Sequence, residues 1–181
     1  MAEKLIQRKK AFGAVAVSLG LLLLLAVNIS SNTGLRGFRV DLTDDKLFTL
    51  SSGTKSLLGN LEEPVRLRLY LTQSIANQYQ PIQDYSRRVR DLLAEYVADS
   101  GGKVTLELVN PEPFSDAEDE AVAYGLRGVP VDAAGDKLYF GLVGTNTVDD
   151  RSVIEFFSQE RDAFLEYDLT RLVYEISTEN K

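Results

Sequence analysis

Neither cysteine nor histidine occurs anywhere in this 181-residue chain. The first absence removes disulfides, thiol redox chemistry, cysteine nucleophiles, thiolate metal sites and lipoprotein processing together. The second removes the commonest general base and the commonest zinc ligand. Positive charge is scarce beyond the first 30 residues. Four of the 20 Lys and Arg and one of the 27 Asp and Glu precede residue 31, which leaves 16 against 26 and a net charge of −10 for the remainder. A surface of that sign disfavours nucleic acid, whose phosphates call for clustered positive charge. It equally disfavours docking onto anionic lipid. A Gly-rich phosphate loop ending in Lys-Ser/Thr is also missing. With these residue types gone, no catalytic constellation rises above background, and the chain reads as a non-enzyme without a cofactor.

What the chain does have is a long apolar run. Ala11 to Ile29 carries no charge and has Leu21 to Leu25 in one unbroken row. At roughly 1.5 Å rise per residue it spans close to the ~30 Å of a bilayer's hydrocarbon core. A buried core helix of this length would show a polar face, and this one shows none. A cleaved signal peptide fits less well: the run exceeds the ~7–15 residues of such a segment, and small-x-small residues are missing where cleavage would fall. Lys4, Arg8, Lys9 and Lys10 precede the run against Glu3 alone, which puts the N-terminus in the cytoplasm. The expected plan is a basic cytoplasmic tail over 1–10 and a transmembrane helix in the lipid bilayer over 11–30. A juxtamembrane linker and short helix over 31–62 and an extracytoplasmic domain over 63–181 follow. The location is the inner (cytoplasmic) membrane, crossed once.

Beyond the anchor, Phe38, Val40 and Leu42 alternate with polar residues as in a short strand. Ser51 or Ser52 is placed to cap a helix holding Thr54, Leu57, Leu58 and Leu61, stopped before Pro64. Val65, Leu67, Leu69 and Leu71 have the period of a half-buried strand. Pro81 opens a long helix whose apolar stripe is Ile82, Tyr85, Val89, Leu92, Leu93, Tyr96 and Val97. Asp84 and Arg88 suit an i,i+4 pair, and Arg87, Arg88 and Arg90 suit a solvated face. Gly101-Gly102 end the helix. A second strand follows with Val104, Leu106 and Leu108 inward, so the unit is a right-handed crossover between parallel strands.

Asn110-Pro111-Glu112-Pro113 breaks that strand. Ser115 and Glu118 suit a capping box for a short acidic helix with Ala121 and Val122 inward. Asp116, Glu118, Asp119 and Glu120 resemble a metal cluster, but their place in the first turn is explained by the helix dipole. Asp149-Asp150 with Glu155 is a second acidic grouping, read as a solvated turn. Residues 138–143 and 153–157 are strand-like, and a helix over about 162–177 carries Phe164, Leu165, Leu169, Leu172, Val173 and Ile176.

The order strand, long helix, strand, short helix, Val-Pro, antiparallel strands, helix resembles the thioredoxin-like fold. The expected class is therefore α/β: a single N-terminal transmembrane helix followed by a thioredoxin-like domain, a mixed sheet flanked by helices. Tyr124-Gly-Leu-Arg-Gly-Val-Pro-Val131 is similar to the thioredoxin segment with a cis proline, so the bond before Pro130 is expected to be cis. The loop Thr72–Gln80, where a redox pair would lie, has no thiol. The turn straight after Val131 departs from the thioredoxin pattern and implies an extra or shifted hairpin.

A resemblance over the whole chain is carried by RVDLTDDKLFTLSSGTKSLLGNLEEPVRLRLYLT (39–72), SGGKVTLELVNPEP (100–113), LYFGLV (138–143) and FLEYDLTRLVYEIS (164–177). Together they resemble the GldG-like, gliding-motility-associated auxiliary subunits of ABC transporters. The resemblance implies a non-catalytic accessory subunit whose partners are ABC permease and ATPase subunits, and a larger second domain with a C-terminal span in the family at large. The signature residues are Asp41, Leu42, Thr43, Phe48 and Ser51. Two readings of them stand side by side. In one, the acids at 41, 44 and 45 with Lys46 meet a permease near the membrane. In the other, the polar residues satisfy local backbone groups while Phe48 and Leu50 pack the linker onto the domain. An envelope-assembly scaffold unrelated to transport is the alternative function.

Overall fold

The computed structural model describes residues 50–131 and 135–178, together with Leu19, Gly20, Leu23 and Leu24 of the apolar run. Those four are helical and their three leucines exposed. No helix among the described residues is long and apolar enough to cross a membrane. The expected span over 11–30, these four residues aside, and the motif residues Asp41, Leu42, Thr43 and Phe48 lie outside the described residues.

Ser51 caps helix α1 (Ser52–Gly59), its hydroxyl accepting the Thr54 N–H at 3.3 Å. That meets one of the donors a helix start leaves unbonded. Strand β1 (Val65–Leu71) alternates in burial as far as Leu69 and is buried on both faces at Tyr70 and Leu71. A four-residue helix α2 (Gln73–Ala76) leads into α3 (Gln80–Asp99), which has Pro81 in its first turn, where a missing N–H costs nothing. Gly101 and Gly102, at φ +60° and +88°, end α3 in a conformation side chains resist. Then come β2 (Val104–Val109), α4 (Asp116–Ala123), the two-residue strands β3 (Val129–Pro130) and β4 (Lys137–Leu138), β5 (Phe140–Thr145) and β6 (Arg151–Ile154). A 3-10 turn over Gln159–Phe164 enters the last helix, α5 (Leu165–Thr178).

The main sheet runs β2-β1-β5-β6. β1 and β2 are parallel, joined across α3, with Val65 opposite Val104 and Tyr70 opposite Val109. β5 is antiparallel to both β1 and β6. It is a mixed sheet flanked by helices on both faces. Leu67, Leu69, Leu71, Phe140 and Leu142 point to one face, where they are buried with Val89, Leu93 and Tyr96 of α3 and Leu169, Leu172, Val173 and Ile176 of α5. Leu50, Leu58 and Leu61 close the same core from α1 and its flanks. Tyr70 and Val143 point to the other face, covered by Ala121 of α4 with Leu126 and Tyr139.

Several local expectations change in the folded chain. The Val129–Pro130 bond is trans, and no described residue has a cis peptide. Val129 and Pro130 lie extended opposite Leu138 and Lys137, and Val131 N–H bonds Asp136 O at 2.9 Å. This hairpin answers to the extra or shifted one that the sequence implied, and it puts nine residues, 131–139, between Pro130 and β5. Arg88 does not pair with Asp84. It reaches Asp162 ahead of α5, while Asp84 takes Gln80 at 3.0 Å and Arg87 at 3.7 Å. Leu108 (54 % exposed), Val122 (57 %) and Phe164 (57 %) are outward, not inward. Leu108 lies on an edge strand, one residue from its end, Val122 sits on the outer side of α4, and Phe164 lies in the 3-10 turn beside the Arg161 guanidinium.

Candidate functional site

β1 and β2 run parallel and finish together, so the segments that leave them meet at one end of the sheet. Thr72, just past β1, is fully buried. Its Oγ1 accepts the Tyr139 N–H at 3.0 Å, its own N–H reaches Tyr139 O at 3.0 Å, and Oγ1 also approaches Lys137 O at 3.4 Å. This ties β1 to the strand entering β5. α2 then plugs the loop with Ile75 and Ala76, both buried. Gln73 N–H donates to Asn110 Oδ1 at 2.9 Å, joining the loops after β1 and β2. No thiol and no imidazole stands here, and the loop is shut by packing.

From Asn110 the chain crosses to α4 as Asn-Pro-Glu-Pro-Phe. Pro111 is buried, Asn110 Nδ2 donates to Glu112 Oε1 at 3.1 Å, and Ser115 N–H and Oγ both bond Glu112 O. The expected capping box forms in a shifted version. Ser115 Oγ accepts the Glu118 N–H at 3.2 Å, and Glu118 Oε2 accepts the N–H of Phe114 rather than of Ser115, at 2.8 Å. Phe114 has φ +61° and is completely exposed.

On the α4 face of the sheet, Arg68 holds Glu120 with both terminal nitrogens, Nη2 to Oε2 at 3.0 Å and Nη1 to Oε1, while Nε reaches Glu107 Oε2 at 3.0 Å. The hydrogen bonds raise the Arg68 guanidinium above its ordinary range and hold the Glu120 carboxyl below its own. The same guanidinium lies 5.5 Å from the Tyr70 ring and 6.0 Å from that of Tyr124. Burial raises the ionisation of Tyr70 well above the usual phenol range. Asp116, Glu118 and Asp119 occupy the first turn of α4, and Asp150 accepts from Asn146 Nδ2 at 3.1 Å in the turn before β6. No group of three or more Asp or Glu among the described residues is placed to hold a metal ion.

Of the six residues singled out in the sequence, Ser51 and Pro130 are described. Ser51 does local work, capping α1 and donating its N–H to Glu166 Oε1 at 2.8 Å. Pro130 lies in the small hairpin, away from Ser51 in the chain and in a different sheet from β1. Sequence reasoning passed over Phe114. The signal available was an apolar residue directly before a capping serine, with an acid, Asp119, at the fourth helical position where its apolar partner would stand.

These features define a small α/β domain whose sheet end is closed by buried side chains and internal hydrogen bonds. The chain belongs to the family whose model, described as a domain of unknown function (DUF7088), matches residues 44–145. That match runs from ahead of α1 to the last residue of β5. Comparison with curated proteins gives no match.

Proposed function

We propose that the chain is a non-catalytic, membrane-anchored accessory subunit of an ABC transport system, with a thioredoxin-like domain outside the cytoplasmic membrane. The observation that carries this reading is a sheet in the order β2-β1-β5-β6 with β5 antiparallel and no thiol at the end of β1. α3 and α5 share one face and α4 the other, which agrees with a thioredoxin-like arrangement. In such a fold the end of β1 carries the redox pair. Here Thr72 and α2 fill the position with packing and hydrogen bonds. A fold does not transfer activity, and what is left to the domain is binding. The GldG-like motifs at 39–72, 100–113, 138–143 and 164–177 supply the transport context, and the apolar run 11–30 supplies the anchor. ATP hydrolysis belongs to a partner, because this chain has no phosphate-binding loop.

Purification of the tagged full chain from its native membrane in mild detergent, with mass spectrometry of what remains bound, tests the proposal. An ABC ATPase and a polytopic permease are expected together. Recovery of the chain alone, or with envelope-assembly proteins, would replace the transport role with a scaffolding one.

A further inference from the structure

Phe114 stands in the chain against two physical costs. A residue with a Cβ resists φ +61°, and a fully exposed phenyl ring gives up its burial energy. Neither cost is recovered within the domain. An apolar residue before an N-cap commonly packs on the fourth helical residue, but that residue is Asp119, and Phe114 is 100 % exposed. The backbone that presents the ring is nevertheless held firmly. Pro111, three residues earlier, is buried, Glu112 O takes two bonds from Ser115, and Glu118 takes the N–H of Phe114 itself. The backbone is held and the ring projects from it, wholly exposed.

We infer that Phe114 is a docking knob that inserts into an apolar pocket, rimmed by Lys or Arg, on a partner protein. Charge selects this occupant. Glu112, Asp116 and Asp119 are exposed within five residues of Phe114 in the chain, so an anionic bilayer surface would be repelled. A second copy of the chain would bring the same acids against themselves, a mismatch of the kind that suppresses wrong partners. A basic rim answers all three acids, while an aromatic anchor in a pocket supplies the affinity. The inference stands on Phe114 whether or not the partner is a transporter subunit.

A photo-reactive benzophenone amino acid placed at position 114 of the full chain, irradiated in native membranes, tests it. The expected adduct maps to one apolar patch of another protein with Lys or Arg beside it. Its yield should fall about tenfold when Glu112, Asp116 and Asp119 are all changed to Lys. Placing the same probe at exposed Asn60 should give no such adduct. An adduct with lipid, with a second copy, or with a surface indifferent to the charge reversal would overturn the inference, as would the absence of an adduct. Phe114→Gly separates docking from folding: relief at φ +61° should leave the thermal midpoint unchanged or raise it by about 2–5 °C. A midpoint lowered by as much would show that Phe114 serves the fold.

Discussion

Two buried tyrosines show how differently one residue type is used in this domain. Tyr96 donates its hydroxyl to Glu166 O at 3.0 Å and is bonded to Thr170 Oγ1, which is 3.0 Å from Thr54 Oγ1. The network joins α1, α3 and α5, and Glu166 closes it by accepting from Thr54 Oγ1 and the Ser51 N–H. Tyr70, equally buried, has its hydroxyl near the Glu120 carboxylate that Arg68 holds, but makes no hydrogen bond of regular geometry among the described residues. Tyr96→Phe should therefore cost about 1–2 kcal/mol, whereas Tyr70→Phe should cost nothing or stabilise by up to about 1 kcal/mol. Urea denaturation followed by circular dichroism reads both, and equal losses would contradict the assignment. At this scale the sequence is legible wherever the partner is local. Ser51 and Ser115 were readable as caps because their acceptor geometry spans three residues. Arg88 was not readable, because its true partner, Asp162, is 74 residues away and a suitable acid stood four residues before it.

Among the elements, β5 is the tightest. A Cβ on Gly141 would lie 2.7 Å from Ile154 O and 2.9 Å from Glu155 O, both backbone atoms that cannot swing aside. A Cβ on Gly144 would meet Leu172 Cδ2 at 2.5 Å and Ile176 Cδ1 at 2.9 Å, which are the ends of flexible side chains. Gly141→Ala is thus expected to destabilise by about 3 kcal/mol and Gly144→Ala by about 1–2 kcal/mol. Thermal midpoints of the two variants would reverse this order if side-chain crowding, not backbone approach, set the limit. β1 and α3 follow their hydrophobic periods because they lie against the core. Leu108 and Val122 break the pattern for a reason periodicity does not contain: one lies on an edge strand, and the other belongs to a helix with a single buried residue, Ala121. The β3–β4 hairpin was readable as an irregularity after Val131. The trans bond at Pro130 was not, since it depends on where that hairpin pairs.

Taken whole, the domain joins three layers through ionisable groups, and its stability should fall at both ends of the pH range. Glu120 is held low by Arg68. For Glu166, burial pushes upward but the bonds from Thr54 and Ser51 outweigh it, and Glu175 is held low by Ser152 and Arg171. The unfolded carboxyls bind protons at higher pH than these folded ones. The stabilisation is therefore complete above about pH 5 and is lost as the medium becomes more acidic. Glu120→Gln should flatten that acid slope. In alkali the sign reverses. Burial raises Tyr85 to about 12, while an unfolded tyrosine ionises near pH 10, so stability should decline as pH rises from about 10 to 12. Phenolate absorbance from the buried tyrosines should appear together with loss of the circular dichroism signal. Ionisation of all of them with the fold intact would contradict this. The absence of cysteine also makes location testable. The single thiol of Asn77→Cys, on an exposed turn before α3, should react with a membrane-impermeant maleimide in spheroplasts. Labelling only after lysis would put the domain on the cytoplasmic side.

The most direct test of an accessory role in ABC transport is ATP hydrolysis that travels with the chain. Vanadate-sensitive ATPase activity should remain with the tagged full chain through two affinity steps from native membranes. The same chain, stripped of partners in harsher detergent and still folded by circular dichroism, should hydrolyse none. An eluate without ATPase activity, or hydrolysis by the stripped chain itself, would contradict the account.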